Sequence, residues 1–163
     1  MAVWLVTAMG FGALLALAQA SGSALDDPDP ARQRPGFLDA GALPQPAPRL
    51  APALARSGRP AVAFFVRPES LDGLCRSLSR DPLAERADVF VVVSGAGQCP
   101  EGTTVADPAA RLARVYGVHR PRSGGAPVGY AVVDSHGRIR YRTLDPTVAD
   151  HLDEVRTVVG AVA

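Results

Sequence analysis

Two uninterrupted apolar runs constrain the fold of this chain more than any other feature. The runs AVAFFV (61–66) and DVFVVVS (88–94) are rich in β-forming residues and lack the alternation of a half-exposed strand. Such runs are typical of strands that are buried on both faces. Between them, SLDGLCRSLSR spaces its leucines as one face of a helix. A strand, a helix and a strand in this order predict a βαβ unit with parallel strands.

A second helix is predicted in the sequence DPAARLARVYGV, which carries signals for both of its ends. Asp107 is expected as the N-cap, Pro108 as the first helical residue and Gly117 as the stop. The residues predicted to face the core are Leu112, Val115 and Tyr116.

The C-terminal part of the chain predicts a β-hairpin and a last helix. The segment GYAVVDSHGRIRYR reads as two strands, joined at a turn that begins at Asp134 and ends at Gly137. Asp145 and Pro146 then repeat the N-cap arrangement of the preceding helix. The apolar stripe expected on this last helix consists of Val148, Leu152, Val155 and Val159.

This order of elements predicts an α/β fold with a central mixed β-sheet: a βαβ unit, a helix, a β-hairpin and a C-terminal helix. A parallel pair extended by an antiparallel hairpin, with helices on both faces, resembles the thioredoxin-like fold. The folded domain is expected to span residues 50–163.

The N-terminal part of the chain predicts export. Residues 1–20 hold no charged side chain and end in a small-x-small pattern, so they read as a signal peptide or a membrane anchor. The proline-rich residues 21–49 predict an extended tether. The domain is therefore expected outside the cytoplasm, anchored to the cell membrane or secreted after cleavage. In that setting two cysteines can form a stable disulfide.

The charge and the histidines exclude several function classes. A net charge of +1 and an aromatic fraction of 6% argue against nucleic-acid binding. His119, His136 and His151 show no ligand spacing, and two cysteines alone do not make a zinc site. No metal and no cofactor are therefore expected.

Cys75 and Cys99 are the candidates for chemistry. Helix N-terminal N–H groups stabilise a thiolate, and Cys75 lies in the early turns if Asp72 is the N-cap, but deeper if Ser70 is. Its phase on the helix also permits an ordinary buried cysteine. Cys99 follows the second parallel strand, so both cysteines are expected at the same edge of the sheet. A redox-active pair, a structural disulfide and two unpaired thiols all stay open.

The chain resembles the peroxiredoxins of the alkyl hydroperoxide reductase and thiol-specific antioxidant type. The block DPAARLARVYGV…GYAVVDSHGRIRYRTLDP, about 40 residues, is similar to the family's pattern of an Asp, a helix ending in Tyr-Gly-Val, a strand and Asp-x-x-Gly-x-Ile-Arg. Pro68, Asp72 and Cys75 match the spacing of the family's Pro-x-x-x-Thr-x-x-Cys motif. The resemblance implies that Cys75 is the peroxidatic position.

Two departures from this motif weaken the peroxidase expectation. Asp72 stands where the family has the Thr that holds the peroxide, and a carboxylate adds a like charge beside a thiolate. Val128 stands where the family has an Arg. Arg67 and Arg76 are the candidates to replace that cation.

A second resemblance is to the membrane-anchored thioredoxin-like proteins of cytochrome maturation and methylamine dehydrogenase assembly. The sequence from Pro127 through Arg140 is similar to theirs, and Pro127 is a candidate for the cis-proline that faces the thiol in thioredoxins. Asp72 replaces the first cysteine of their Cys-x-x-Cys motif, so only an exchange that uses Cys99 remains.

These residues support two alternative hypotheses for the function of the protein. In the first, the protein is an extracytoplasmic thiol oxidoreductase or peroxiredoxin-like protein that acts on a protein thiol, a disulfide or a peroxide. Cys75 attacks and Cys99 resolves, with Pro68, Asp72, Arg76 and Pro127 tuning the thiol or binding the substrate. In the second, it is a degenerate thioredoxin-fold binding or assembly protein with a structural disulfide or free thiols.

Overall fold

The structure is a computed structural model that describes residues 44–48, 58–121 and 124–162. The predicted N-terminal segment 1–20 and most of the predicted tether lie outside the described residues. In chain order the elements are β1 (Gln45–Pro46), β2 (Ala61–Val66), α1 (Pro68–Leu78), α2 (Leu83–Arg86), β3 (Asp88–Val93), β4 (Thr103–Ala106), α3 (Arg111–Val115), β5 (Gly129–Val133), β6 (Arg138–Leu144), a 3₁₀ turn (Val148–Asp150) and α4 (Leu152–Val162).

The strands form a mixed sheet in the order β1-β6-β5-β2-β3-β4. The predicted βαβ unit is confirmed, because β2 and β3 pair in parallel from Ala61 opposite Asp88 to Val66 opposite Val93. Strand β4 continues the parallel part, and the antiparallel hairpin of β5 and β6 lies on the other side of β2. The sheet therefore matches the predicted fold class.

Strands β2 and β3 are interior strands of the sheet, and their side chains alternate between two hydrophobic clusters. On one face, Val62 and Phe64 pack with α1, α2 and α4. On the opposite face, Ala63 and Phe65 pack with α3 and with Tyr116. Because both faces are covered by helices, nearly every residue of the two strands is apolar, as the sequence predicted.

Helix α1 begins earlier than either predicted N-cap. Its N-cap is Arg67, in extended conformation, and its first residue is Pro68, so the predictions of Asp72 and Ser70 were both wrong. Proline has no N–H to satisfy and favours an extended residue before it, which suits the first helical position. Because the helix begins at Pro68, Cys75 is its eighth residue.

Helix α3 is shorter than predicted and begins at Arg111 rather than after Asp107. The Asp107 carboxylate still caps the helix, because it accepts hydrogen bonds from the backbone N–H groups of Arg111 (2.8 Å), Leu112 (2.9 Å) and Ala113 (3.2 Å). Gly117 ends this region with a φ of 75°, as predicted.

The inner face of α3 also differs from the prediction. Val115 is 53% exposed, whereas Ala113 is buried in its place and Tyr116 is buried as expected. Leu112 is partly buried against the same cluster, so the buried face of α3 includes Ala113 and leaves out Val115, two residues that point about 200° apart on a helix.

The C-terminal elements are close to the prediction. The hairpin turn is confirmed, with the Gly137 N–H donating to the Asp134 carbonyl at 2.9 Å. All four predicted stripe residues of the last helix are buried. Asp145 lies before the 3₁₀ turn and not at the start of α4, so its predicted N-cap role in the last helix was wrong; its carboxylate accepts a hydrogen bond from the Thr147 N–H at 2.9 Å.

The cap at Asp107 gives a stability prediction. Asp107→Ala leaves three backbone N–H groups of α3 without their acceptor, and we expect the free energy of unfolding to fall by about 1–3 kcal/mol. Urea denaturation of the full chain measures the loss. Asp150→Ala, at an exposed aspartate, is the control and is expected to change stability by less than about 0.5 kcal/mol. Equal stability of the two variants would contradict the capping role.

Candidate functional site

Cys75 lies in the second half of α1 and is half-buried. It packs at the border of the cluster that contains Leu71 and Leu78, in the phase that the sequence predicted. The unpaired N–H groups of a helix belong to its first turn, and the effect of the helix dipole falls off within that turn. As the eighth residue of α1, Cys75 therefore lacks the thiolate stabilisation that an N-terminal position would give.

Cys99 lies in the loop of residues 94–102, which joins β3 to β4, and is buried, with 3% of its surface exposed. Its backbone N–H donates to the Thr104 hydroxyl at 2.9 Å, and that hydroxyl lies 3.4 Å from the Cys99 carbonyl. Thr104 belongs to β4, so the edge strand holds this cysteine in place.

Cys75 and Cys99 form a disulfide with a Cα–Cα distance of 5.7 Å. The expectation that both cysteines lie at one edge of the sheet is therefore confirmed, and the alternative of two unpaired thiols is wrong. The bond joins the middle of α1 to the loop after β3. A redox-active bond and a structural bond both fit this connection.

Two glycines let the 94–102 loop lie close to α1. A Cβ atom at Gly95 would lie 2.7 Å from Cγ of Pro68, and Gly97, with a φ of 155°, packs against the side chain of Leu71. A larger residue at either position would push the loop away from the helix. Pro68 thus contributes to the site as a packing surface.

The two halves of the disulfide differ in exposure and in charge. Cys75 is the more exposed residue, whereas Cys99 is buried beside a carboxylate, since Glu101 Oε2 lies 3.5 Å from Cys99 Sγ. A disulfide sulfur carries no proton, so this is a contact while the bond is intact and becomes a hydrogen bond when Cys99 is a thiol. An attacking group therefore reaches Cys75 more easily than Cys99.

The other residues predicted to tune the thiol lie on the solvent side of α1. Asp72 and Arg76 are exposed, one turn before and one residue after Cys75. Arg67 is directed elsewhere, because its Nε donates to the Ala126 carbonyl at 2.9 Å and its guanidinium lies 3.7 Å from the Glu69 carboxylate. The roles predicted for Pro68, Asp72 and Arg76 stay predictions.

Pro127 is buried and lines a small hollow beside Ser94, Asp107 and Ala110. Several residues of this hollow belong to the cluster on the α3 face of the sheet, whereas the cysteines belong to the cluster on the α1 face. Its predicted role opposite the thiol stays a prediction. Val128, in the position of the family's arginine, is buried.

The side chains whose pKa values are shifted lie in the core of the domain. Burial raises the pKa of Tyr130 well above its usual range, and the neighbouring Tyr141 adds to this shift. Burial likewise raises the pKa of Tyr116 and lowers the pKa of Arg142. The Tyr116 hydroxyl donates to the Pro48 carbonyl at 2.6 Å, which fixes residues 47–48 against the domain. These groups act in packing.

The sequence did not single out Glu101, Thr104 or Gly97 as site residues. The sequence feature that could have identified Glu101 as a site residue is its position two residues after Cys99 in QCPEG. Its carboxylate lies near the sulfur, however, only because of the way the loop folds. Within the described part of the chain, no helix has the length and apolar character needed to span a bilayer.

Comparison with solved structures identifies the fold. The Xanthomonas campestris bacterioferritin comigratory protein, described in work on its alkyl peroxide reduction activity, is 17% identical and has a TM-score of 0.51 over 64% of this chain and 80% of that chain. Xanthomonas campestris peroxiredoxin Q is 19% identical, with a TM-score of 0.49 over 66% of this chain and 81% of that one. MTB DsbF is 22% identical, with a TM-score of 0.39 over 65% and 82%.

No family model matches the chain, and no curated protein matches its sequence. The chain has a thioredoxin-like redoxin fold, as the sequence resemblance implied. Within this fold it carries a cysteine pair at disulfide distance.

The Glu101 carboxylate gives a kinetic prediction. When a thiolate attacks Cys75, Cys99 leaves as a thiolate beside Glu101, and the two negative charges repel each other. Glu101→Gln removes this repulsion, which is worth about 1 kcal/mol at this distance even in water and more beside a buried sulfur, and we expect the disulfide to be reduced at least about fivefold faster. Stopped-flow reduction by dithiothreitol at fixed pH measures the rate.

The control for this experiment is Glu85→Gln, which neutralises an exposed glutamate on α2 and is expected to leave the rate unchanged. An unchanged or lower rate in Glu101→Gln would show that the carboxylate does not act on the leaving sulfur.

Proposed function

We propose that this protein is a thiol–disulfide oxidoreductase that accepts two electrons from a dithiol into the Cys75–Cys99 bond. The observation that carries the proposal is the asymmetry of the disulfide, with a half-buried Cys75 and a buried Cys99. The rate of exchange depends on access to the attacked sulfur. Because Cys75 is only half-buried and Cys99 is buried, attack is directed to the Cys75 side of the bond.

The exchange takes place in two steps. A substrate thiolate attacks Cys75 Sγ, the Cys75–Cys99 bond breaks, and Cys99 leaves as a thiolate that takes up a proton. The second substrate thiolate then attacks the substrate sulfur of the mixed disulfide, and Cys75 leaves and is protonated in turn. The substrate loses two electrons and gains a disulfide, while the protein gains two thiols.

This direction of electron flow fits the position of Cys75 in α1. In the first step Cys75 is attacked as an electrophile and does not have to be a thiolate, whereas a peroxidatic cysteine must be a thiolate to react. Cys75 is the eighth residue of its helix, Asp72 replaces the peroxide-holding threonine and Val128 replaces the arginine. We therefore favour a protein dithiol over a peroxide as the substrate.

The compartment is part of the same proposal. We propose that the domain acts outside the cytoplasm, since residues 1–20 read as a signal peptide or a membrane anchor and disulfides persist in oxidising compartments. Labelling of intact cells with a membrane-impermeant thiol reagent, after mild reduction, tests this. A domain labelled only after lysis would contradict it.

A second candidate function is a binding or assembly protein in which the disulfide is structural. The mid-helix position of Cys75 and the burial of Cys99 favour it, because a shielded and unactivated bond resists reduction. Under this alternative the bond serves to fix the 94–102 loop against α1.

The reduction potential separates the two candidates. We expect the full-length protein, equilibrated in dithiothreitol buffers and scored by alkylation, to have a potential of about −120 to −270 mV, the range of exchange proteins. A value below roughly −300 mV would mark a structural bond and refute the exchange function.

The attacked sulfur is tested separately. Brief treatment with glutathione, acid quenching and peptide mass spectrometry are expected to find the glutathione adduct on Cys75, because Cys75 is the more exposed half. Cys99→Ser, which keeps Cys75, is expected to form a stable mixed disulfide with oxidised glutathione. The matched Cys75→Ser variant is expected to form far less. Equal adducts on both cysteines would contradict the proposed direction.

A further inference from the structure

A third potential metal ligand lies beside the two cysteines. The sulfur atoms of Cys75 and Cys99 and a carboxylate oxygen of Glu101 all lie within 4.8 Å of one another. The sequence predicted no metal site because two cysteines supply two ligands. The 94–102 loop supplies the third by turning Glu101 toward Cys99.

The distance between Cys99 and Glu101 fits a tetrahedral zinc ion, and the two sulfurs reach a suitable distance only after reduction. Zinc binds thiolate sulfur at about 2.3 Å and carboxylate oxygen at about 2.0–2.2 Å, so tetrahedral angles require a sulfur–oxygen separation of about 3.5 Å. The distance between Cys99 Sγ and Glu101 Oε2 is 3.5 Å. Two thiolates on the same ion need to lie about 3.8 Å apart. Reduction frees the sulfurs to separate to that distance, and Cys75 is the more exposed of the two.

The charges of the three groups also favour a cation. A dithiolate beside Glu101 places three negative charges within a few ångströms, and like charges at this distance disfavour ionisation. A divalent cation reverses this effect, because it attracts all three groups and displaces the thiol protons. The arrangement is thus unfavourable for a free dithiolate but suitable for a thiolate-preferring metal.

We propose that the reduced protein binds a thiophilic divalent cation, Zn²⁺ or one of similar chemistry, through Cys75, Cys99 and Glu101. Binding releases the two thiol protons to solvent and leaves the fourth coordination position open. A small-molecule disulfide such as oxidised glutathione accepts the two electrons and becomes two thiols, while Cys75 and Cys99 form their bond; both sulfur ligands are consumed and the cation is released. The proposal requires that the disulfide can be reduced, but it does not depend on the exchange function.

The test uses the full-length protein, reduced chemically, freed of reductant and titrated anaerobically with Co²⁺ as the probe. We expect one Co²⁺ per chain, charge-transfer absorption from two thiolates, and visible bands of a four-coordinate ion that disappear when Zn²⁺ is added. Glu101→Gln is expected to weaken binding by at least about tenfold, and Cys75→Ser to abolish the two-thiolate spectrum. Glu85→Gln is the matched control and is expected to bind as the unmodified chain does.

Several outcomes of this titration would overturn the metal proposal. They are a reduced protein that fails to bind Co²⁺ at micromolar concentrations, a Glu101→Gln variant with unchanged affinity, and binding confined to a chain whose circular dichroism shows that reduction has unfolded it. Equal binding by the oxidised protein would also refute it. A potential below roughly −300 mV refutes the exchange function alone, because the titration starts from chemically reduced protein.

Discussion

The parallel pairing of β2 with β3 is the interaction on which the rest of the structure depends. Both strands are buried on both faces, and parallel pairing brings their carboxyl ends to the same edge of the sheet. Helix α1 follows β2 and the 94–102 loop follows β3, so the two cysteines meet although 24 positions separate them. Antiparallel pairing of the same strands would place α1 and the loop at opposite edges and would leave the cysteines apart.

The disulfide adds a second constraint at this edge. Closing a loop of this length stabilises a folded chain by roughly 3.5 kcal/mol in the chain-entropy description. The two central strands keep their pairing through backbone hydrogen bonds and the two apolar clusters, which do not require the bond. Reduction therefore acts mainly on the contact between α1 and the loop, where Gly97 packs on Leu71 and Thr104 holds Cys99. The site is the part of the domain that is best placed to respond to a change of redox state.

The sequence predicted the elements whose signals are local and periodic, and it failed where a boundary depends on tertiary contacts. Strand β2 was predictable because burial on both faces leaves a continuous apolar run. The turn from Asp134 to Gly137 and the apolar stripe of α4 were predictable from turn residues and from helical periodicity. The first residue of α3 could not be predicted from the sequence, because the capping residue Asp107 lies four residues before the helix begins. Strand β4 and helix α2 were not predicted at all, since each is only four residues long. The position of both cysteines at one edge of the sheet followed from topology, whereas their bond was left open. The position of Glu101 was not predicted, because it depends on the path of a glycine-containing loop.

The acidic neighbour of Cys99 connects the two proposals. Without a cation, the Glu101 carboxylate opposes formation of the Cys99 thiolate and so slows opening of the disulfide. With a cation, the same carboxylate becomes a ligand that favours the reduced state. A ligand that binds one of two states stabilises that state by RT ln(1 + [L]/Kd), so a cation that binds only the dithiol makes reduction of the protein more favourable as its concentration rises. If both proposals hold, the reduction potential of this disulfide depends on the concentration of a thiophilic metal. The affinity that Glu101 gives the metal site sets how strongly metal binding and reduction are coupled.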